Sequence, residues 1–165
     1  MKLEGFTYAD WVGSPSDRKS TSGGIFSIGL TTVYWYSRKQ RSVALSSVEA
    51  EYMEASQAAC ESIWMRKILV GLFGSQMDLT VIHCDNHSCI KILIILVFHD
   101  RSKNIDIQYH HLRDCAKRII LVFQYIPTKH QNADFVTKAL TRSKFEYHRG
   151  RIGVKDNPYL VEREC

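Results

Sequence analysis

The chain has 165 residues, 45% of them hydrophobic and 24% charged, which fits one globular domain with a real core. Its net charge of +5 allows an anionic partner without demanding one, since basicity of this size is common in proteins that bind nothing anionic. The opening MKLEGFTYAD lacks the apolar core of a secretory leader, and the longest apolar run, ILIILVF at 92–98, is too short to span a bilayer, so no membrane association is expected.

Residues 3–9 and 24–38 are rich in Phe, Ile, Thr, Val, Tyr and Trp and read as strands. Between them SPSDRKSTSGG has the composition of a loop, and GGIFSIGL with TTVYWYSRK reads as an antiparallel hairpin. The period then changes. Val48, Tyr52, Ala55, Ala59 and Ile63 fall on one helical stripe, extended by Leu69 and Leu72, which predicts a helix over 47–72. Ser46 and Glu49 form a capping box, and Gly71 or Gly74 supplies the stop. LTVIHC at 79–84 is a strand of the buried type, and Asp85-Asn86 opens another helix. Residues 105–118 have helical spacing, with Ile107, His111 or Leu112, and Cys115 inward; IILVFQYI at 119–126 is the last strand, followed by short helical text in ADFVTKAL and SKFEYHRGRIG. Strands that first meander and then alternate with helices predict an α/β domain with a mixed sheet over 1–153, and a loosely held tail over 154–165.

Three acids stand out by position. Glu51 lies in the first turn of the long helix at the edge of its apolar stripe, whereas Glu49 and Glu54 point further outward by the same angular count. Asp85 directly follows the strand LTVIHC, at the carboxyl end where open α/β sheets place their ligands, and Asp134 follows the last strand closely. Each has a plain structural reading as well, Glu51 as a helix-dipole acid and the two Asp residues as caps. Gathered at one end of a sheet, the three would form a site for hard cations such as Mg²⁺.

The strings DWVGSPSDRKSTSGG, WYSRKQRSVALSSVEAEYMEAS, HCDNHSCIK, VFHDRSKNIDIQYHHLRD and QYIPTKHQNADFVTKAL, in this order, resemble the ribonuclease H domain of copia-type LTR retrotransposon polyproteins of plants. The resemblance runs from about Gly5 to Gly153. It implies a ribonuclease H-like α/β fold: a five-stranded mixed sheet flanked by helices, with three antiparallel strands followed by two added through helices. It further implies cleavage of the RNA strand of RNA–DNA hybrids with two Mg²⁺ ions (Mn²⁺ can substitute) held by four acids, and a reverse transcriptase domain as partner in the full polyprotein, outside this chain. By motif, the second, third and fourth catalytic and metal-holding acids are Glu51, Asp85 and Asp134. The first departs. The family's first strand usually reads G-[FY]-[ST]-D-A-D-W with the first Asp catalytic, and here that position is Tyr8. Asp10 matches the second Asp and lies about 6–7 Å further along the strand, too far for a simple swap. A second departure is Ile95-Leu96 where the family has a helix-stopping Asn-Pro. The expectation is therefore a ribonuclease H weakened or silenced at Tyr8; the alternatives are a non-catalytic nucleic-acid-binding remnant with the fold intact, and an unfolded product of a decayed element.

Arg18 and Lys19 in the loop after the first strand, with Arg38, Lys39 and Arg41 after the third, are candidate contacts to hybrid phosphates, or else parts of solvated loops; Tyr34, Trp35 and Tyr36 between them read as core. The five cysteines, Cys60, Cys84, Cys89, Cys115 and Cys165, are odd in number and contain no C-x-x-C, which points to reduced thiols in an intracellular protein, cytoplasmic or nuclear rather than secreted. His83, Cys84, His87 and Cys89 crowd around Asp85, but their spacing fits no zinc finger, and strand residues 83 and 84 point to opposite faces.

Overall fold

The computed structural model describes residues 1–14, 16–98 and 120–154, without the side chains of 95–98. The predicted helix of 105–118 and the tail beyond 154 lie outside the described residues. In chain order the elements are β1 (Leu3–Asp10), β2 (Thr21–Ile28), β3 (Thr31–Lys39), α1 (Ser47–Phe73), β4 (Thr80–Cys84), α2 (His87–Phe98), β5 (Leu121–Tyr125), two short 3-10 turns at Thr128–His130 and Asp134–Val136, and α3 (Arg142–Arg151). The strands form one sheet in the order β3-β2-β1-β4-β5, with β1–β2 and β2–β3 antiparallel and β1–β4 and β4–β5 parallel. This is the mixed sheet expected from the sequence. The strand text begins earlier than its composition suggested: Thr21, Ser22 and Gly23 belong to β2 because they pair with Asp10, Ala9 and Tyr8.

Strict alternation on β1 separates two faces. Leu3, Thr7 and Ala9 are buried toward α1, while Phe6, Tyr8 and Asp10 line the opposite face. On the α1 side, Leu3, Phe26, Tyr36 and Ile82 of the sheet meet Ala58, Ala59, Ile63 and Met65 of the helix. A second cluster joins Tyr52 and Ala55 of α1 to Cys84 of β4 and Cys89, Ile90 and Leu93 of α2, so both long helices cover the same face. The small alanines let α1 approach the sheet closely.

The helix ends follow the local chemistry. The Ser46 side chain accepts from the Glu49 N–H, and the Glu49 carboxylate reaches back to the Leu45 N–H at 2.6 Å, one residue earlier than a capping box requires. Gly74, with φ 61°, is the stop; Gly71 lies within the helix. The apolar stripe fails at its far end, where Leu72 is 71% exposed because α1 outruns the sheet. Asn86 rather than Asp85 caps α2, accepting from the Cys89 N–H at 3.0 Å. The helix backbone continues through Ile95 and Leu96 to Phe98, as the loss of a Pro there predicts. Of the three β3 aromatics read as core, Tyr36 is buried and Tyr34 half-buried, but Trp35 points to the other face and is 60% exposed.

Ala59 is fully buried against the sheet. Ala59→Asp places an unpaired carboxylate there and should cost several kcal/mol, read as a large fall in thermal midpoint. A variant melting with the wild type would overturn this placement of α1.

Candidate active site

The site forms where β1 and β4 part. Parallel pairing ends near Phe6–His83, and β4 stops at Cys84 so that Asn86 can cap α2. The β1 edge beyond that point has no strand partner on this side, and the Ala9 N–H instead donates to Oε1 of Glu51, reaching across from α1, at 3.0 Å. Glu51 is only 5% exposed, and its Oε2 has no hydrogen-bond partner. Burial pushes its carboxyl up to about 9.

Asp85 leaves the end of β4 half-buried, with Oδ2 accepting from the Thr128 hydroxyl at 2.8 Å. Burial raises its pKa against that hydrogen bond, and the charge of Asp134 raises it further. Carboxylate oxygens of Glu51 and Asp85 and the Cys84 Sγ all lie within 4.8 Å of one another. The convergence of an orphaned buried oxygen with a second carboxylate fits a divalent cation.

Asp134 stands apart from that trio. It begins a 3-10 turn and pairs with Lys138 Nζ at 2.6 Å, one helical turn on. Its turn is seated by Gln131, fully buried, whose Nε2 donates to Thr7 O (3.0 Å) and His83 O (3.4 Å) across the parting strands, while Oε1 accepts from the Ala133 N–H. Gly23 lies under the same turn, where an added Cβ would meet Val136 and Thr137 at 2.6 Å.

Tyr8 sits amid all of these groups. Burial raises its pKa first, then the charges of Asp134, Asp85, Asp10 and Glu51 in that order, so the phenol stays protonated. Lys138 Nζ lies 5.6 Å from the centre of its ring. Asp10, two residues on, is outside the 4.8 Å trio; its Oδ2 lies against Gly13 in the following turn. Sequence reasoning missed Lys138, Thr128 and Gln131. Only Lys138 had a signal, the i, i+4 spacing from Asp134.

The candidate nucleic-acid residues occupy the same end of the sheet, because Asp10, Thr21 and Lys39 are in register. Arg18 is exposed and Lys19 half-buried in the loop after β1. Arg38 pairs with Glu61 at 3.1 Å and Lys39 with Asp17 at 3.0 Å, both at the surface. Arg38, Lys39 and Arg41 rim a polar recess of about 380 Å³ floored by Ser22, Gln40 and Glu54. Here the angular count misled: Glu54 is not outward but 0% exposed, with Oε1 accepting from the Tyr36 hydroxyl at 2.7 Å. Burial pushes its carboxyl up to about 7 against the opposing pull of that hydroxyl.

No family model matches the chain. It is 36% identical over 94% of its length to the retrovirus-related Pol polyprotein from transposon TNT 1-94 of Nicotiana tabacum, and 35% identical over 96% to that from transposon RE1 of Arabidopsis thaliana. It spans only 12% and 11% of those proteins. Among solved structures, LC11-RNase H1, isolated from compost by a metagenomic approach, superposes with a TM-score of 0.58 at 16% identity, over 82% of this chain and 91% of that one. The same enzyme in complex with an RNA/DNA hybrid gives a TM-score of 0.55 at 12% identity, over 81% and 92%. No helix among the described residues is long and apolar enough to cross a membrane.

Glu51 and Glu54 hold their protons in the folded chain at pH values where the unfolded chain has released them. Their contribution to stability is whole below the ordinary glutamate value of 4.5 and is lost as pH rises, through about 7 for Glu54 and about 9 for Glu51. The urea midpoint in the presence of a chelator should therefore fall between pH of about 5 and 8. Glu54→Gln, which keeps an acceptor for Tyr36, should flatten that fall; an equally steep profile in the variant would remove Glu54 from the account.

Proposed function

The chain is a ribonuclease H-like domain of a retrotransposon Pol polyprotein, and from that premise we propose that it binds RNA–DNA hybrids but cleaves their RNA strand feebly or not at all. The observation that carries this reading is the neutral Tyr8 phenol, placed among Glu51, Asp85, Asp134 and Asp10 where the motif calls for an acid. The hybrid-bound neighbour of the same fold supports the choice of ligand. The reverse transcriptase domain expected beside it belongs to the longer polyprotein.

Mg²⁺, or Mn²⁺ in its place, would be held by Glu51, Asp85 and Asp134 and would supply activation of a water and stabilisation of the leaving oxygen. The residues themselves provide orientation. Glu51 is fastened by the Ala9 amide and Asp85 by the Thr128 hydroxyl, which leaves Oε2 of Glu51 directed by its own tether rather than by a competing donor. Asp134 is already neutralised in part by Lys138. That ion pair favours the second reading, a nucleic-acid-binding domain whose acid cluster is stable without metal.

Relative to a four-acid site, the missing strand ligand should cost about 4 kcal/mol of transition-state stabilisation, about a thousandfold in rate. Tyr8→Asp should therefore raise Mg²⁺-dependent cleavage of a labelled hybrid by orders of magnitude. In that background Asp85→Asn should abolish activity and Asp10→Asn should matter much less. Robust wild-type cleavage that dies on Asp10→Asn would mean that Asp10 has taken over as ligand.

Hybrid binding should survive without catalysis, because it rests on phosphate contacts at the basic end of the sheet. Arg38 and Lys39 can exchange their surface ion pairs, each of order 1 kcal/mol or less, for phosphates. Neutralising Arg18 and Lys19 together should weaken binding and reduce the slope of log affinity against log salt by about one per lost contact. Affinity indifferent to salt would refute the basic-loop assignment.

A further inference from the structure

The cation site described above contains a donor that a ribonuclease mechanism does not call for. Cys84 Sγ lies within 4.8 Å of carboxylate oxygens of both Glu51 and Asp85, and Cys84 is itself 0% exposed. It takes up this position because β4 alternates: Thr80, Ile82 and Cys84 face α1, while His83 turns to the other side and stacks on Phe6 at 4.8 Å. His87 stacks on Tyr125 at 3.6 Å, so neither histidine of the H-C-D-N-H run is directed by that packing toward the thiol. The second thiol of the run, Cys89 in the first turn of α2, hydrogen-bonds Cys84 and is equally buried.

We propose that Glu51, Asp85 and Cys84 together form a site for a thiophilic divalent cation of the zinc class. Two observations carry it independently. One is the mutual proximity of one sulfur and two oxygen donors; the other is Oε2 of Glu51, on a side chain nine-tenths buried and without a hydrogen-bond partner. Zinc-class ions bind thiolate at about 2.3 Å and carboxylate at about 2.0–2.2 Å, so the donors need only draw together by small side-chain adjustments. Binding releases the Cys84 thiol proton and the Glu51 carboxyl proton to solvent, and the ion exchanges bound waters for one sulfur and two carboxylate oxygens. Thiolate ligation selects against Mg²⁺, which takes oxygen donors in octahedral geometry and dehydrates reluctantly. A thiophilic ion at this place occupies two of the three carboxylates that hybrid cleavage would need. The proposal rests on the acids being a cation site, and not on any cleavage of hybrid.

Cd²⁺ serves as the probe, because its bond to thiolate produces an ultraviolet charge-transfer band and a cadmium NMR shift characteristic of sulfur ligation. The protein is the full chain carrying Cys60→Ser, Cys115→Ser and Cys165→Ser, which leaves Cys84 and Cys89 as its thiols. One equivalent of Cd²⁺ should develop the band and a shift of the one-sulfur class, and excess Mg²⁺ should not displace it. Cys84→Ser should abolish the band, Cys89→Ser should retain it, and Glu51→Gln should weaken Cd²⁺ binding by at least about tenfold. The NMR shift needs no substitution at Cys84, so it decides the matter even if Cys84→Ser unfolds. An oxygen-only shift, no bound Cd²⁺, or a band that survives Cys84→Ser and vanishes in Cys89→Ser would overturn the proposal. None of these outcomes depends on whether the chain cleaves hybrid, and absence of cleavage leaves the Cd²⁺ result unchanged.

Discussion

The hydrogen bond from the Ala9 amide to Glu51 is the constraint on which the site depends. Two parallel strands that separate leave backbone donors exposed at the fork, and a buried donor without a partner costs about as much as a lost hydrogen bond. Glu51 removes that cost for β1 while α1 runs across the sheet on a surface of alanines. The carboxylate thereby becomes part of the sheet's own hydrogen bonding. Its second oxygen is then held, desolvated, at the mouth of the fork, where the end of β4 delivers Cys84 and Asp85. Gln131 serves the other side of the same fork through the carbonyls of Thr7 and His83. Structure and site therefore share one cause: a parallel pair that opens toward its carboxyl end, the place where sheets of this kind bind ligands.

The parts of this arrangement that obey a period or a local rule were legible in the sequence. The strand text, the start of α1 after Ser46 and the position of Asp85 at a strand end follow from short-range patterns, and Gly74 is one of the two glycines that the sequence offers as the stop of α1. Glu51, read as a first-turn residue, lies beyond the first turn, whose acid is Glu49. The failures have one character. Glu54 reads as outward on a helical wheel because a wheel does not contain the Tyr36 hydroxyl of a strand paired two places away. Trp35 reads as core because aromatic strand residues usually are, but β3 is an edge strand with one face partly open. Leu72 continues a perfect stripe beyond the sheet that the stripe was meant to meet. Thr128 and Gln131 acquire their roles only by tertiary contact, across 43 and 124 residues respectively, and no local pattern encodes such a partner.

Electrostatics ties the substitution at Tyr8 to its surroundings. A site of four close carboxylates is repulsive unless a cation is bound, and each acid there would be held protonated or destabilise the fold. In this chain the count of negative groups is reduced by Tyr8, and Lys138 brings a fixed positive charge to Asp134 and over the Tyr8 ring. Both features lessen the need for a divalent cation. They also remove part of what attracts one, since affinity for hard cations rises with ligand charge.

The donor set that converges is small and soft. Asp134 is turned toward Lys138, Asp10 toward the Gly13 turn, and the three groups still converging are Glu51, Asp85 and the Cys84 thiol. A two-ion phosphodiester mechanism needs ligands on both sides of the reacting phosphate, and the side that β1 should supply now carries a neutral ring. On the function proposed above, a phenol at Tyr8 would be enough to separate hybrid binding from cleavage. The polyanion recognition proposed above would depend on cations dispersed over the end of the sheet rather than on Tyr8. On the proposed reading, chemistry depends on charge concentrated at a single fork, where a phenol in place of a carboxylate would change both how many ions the fork can hold and which class of ion it prefers.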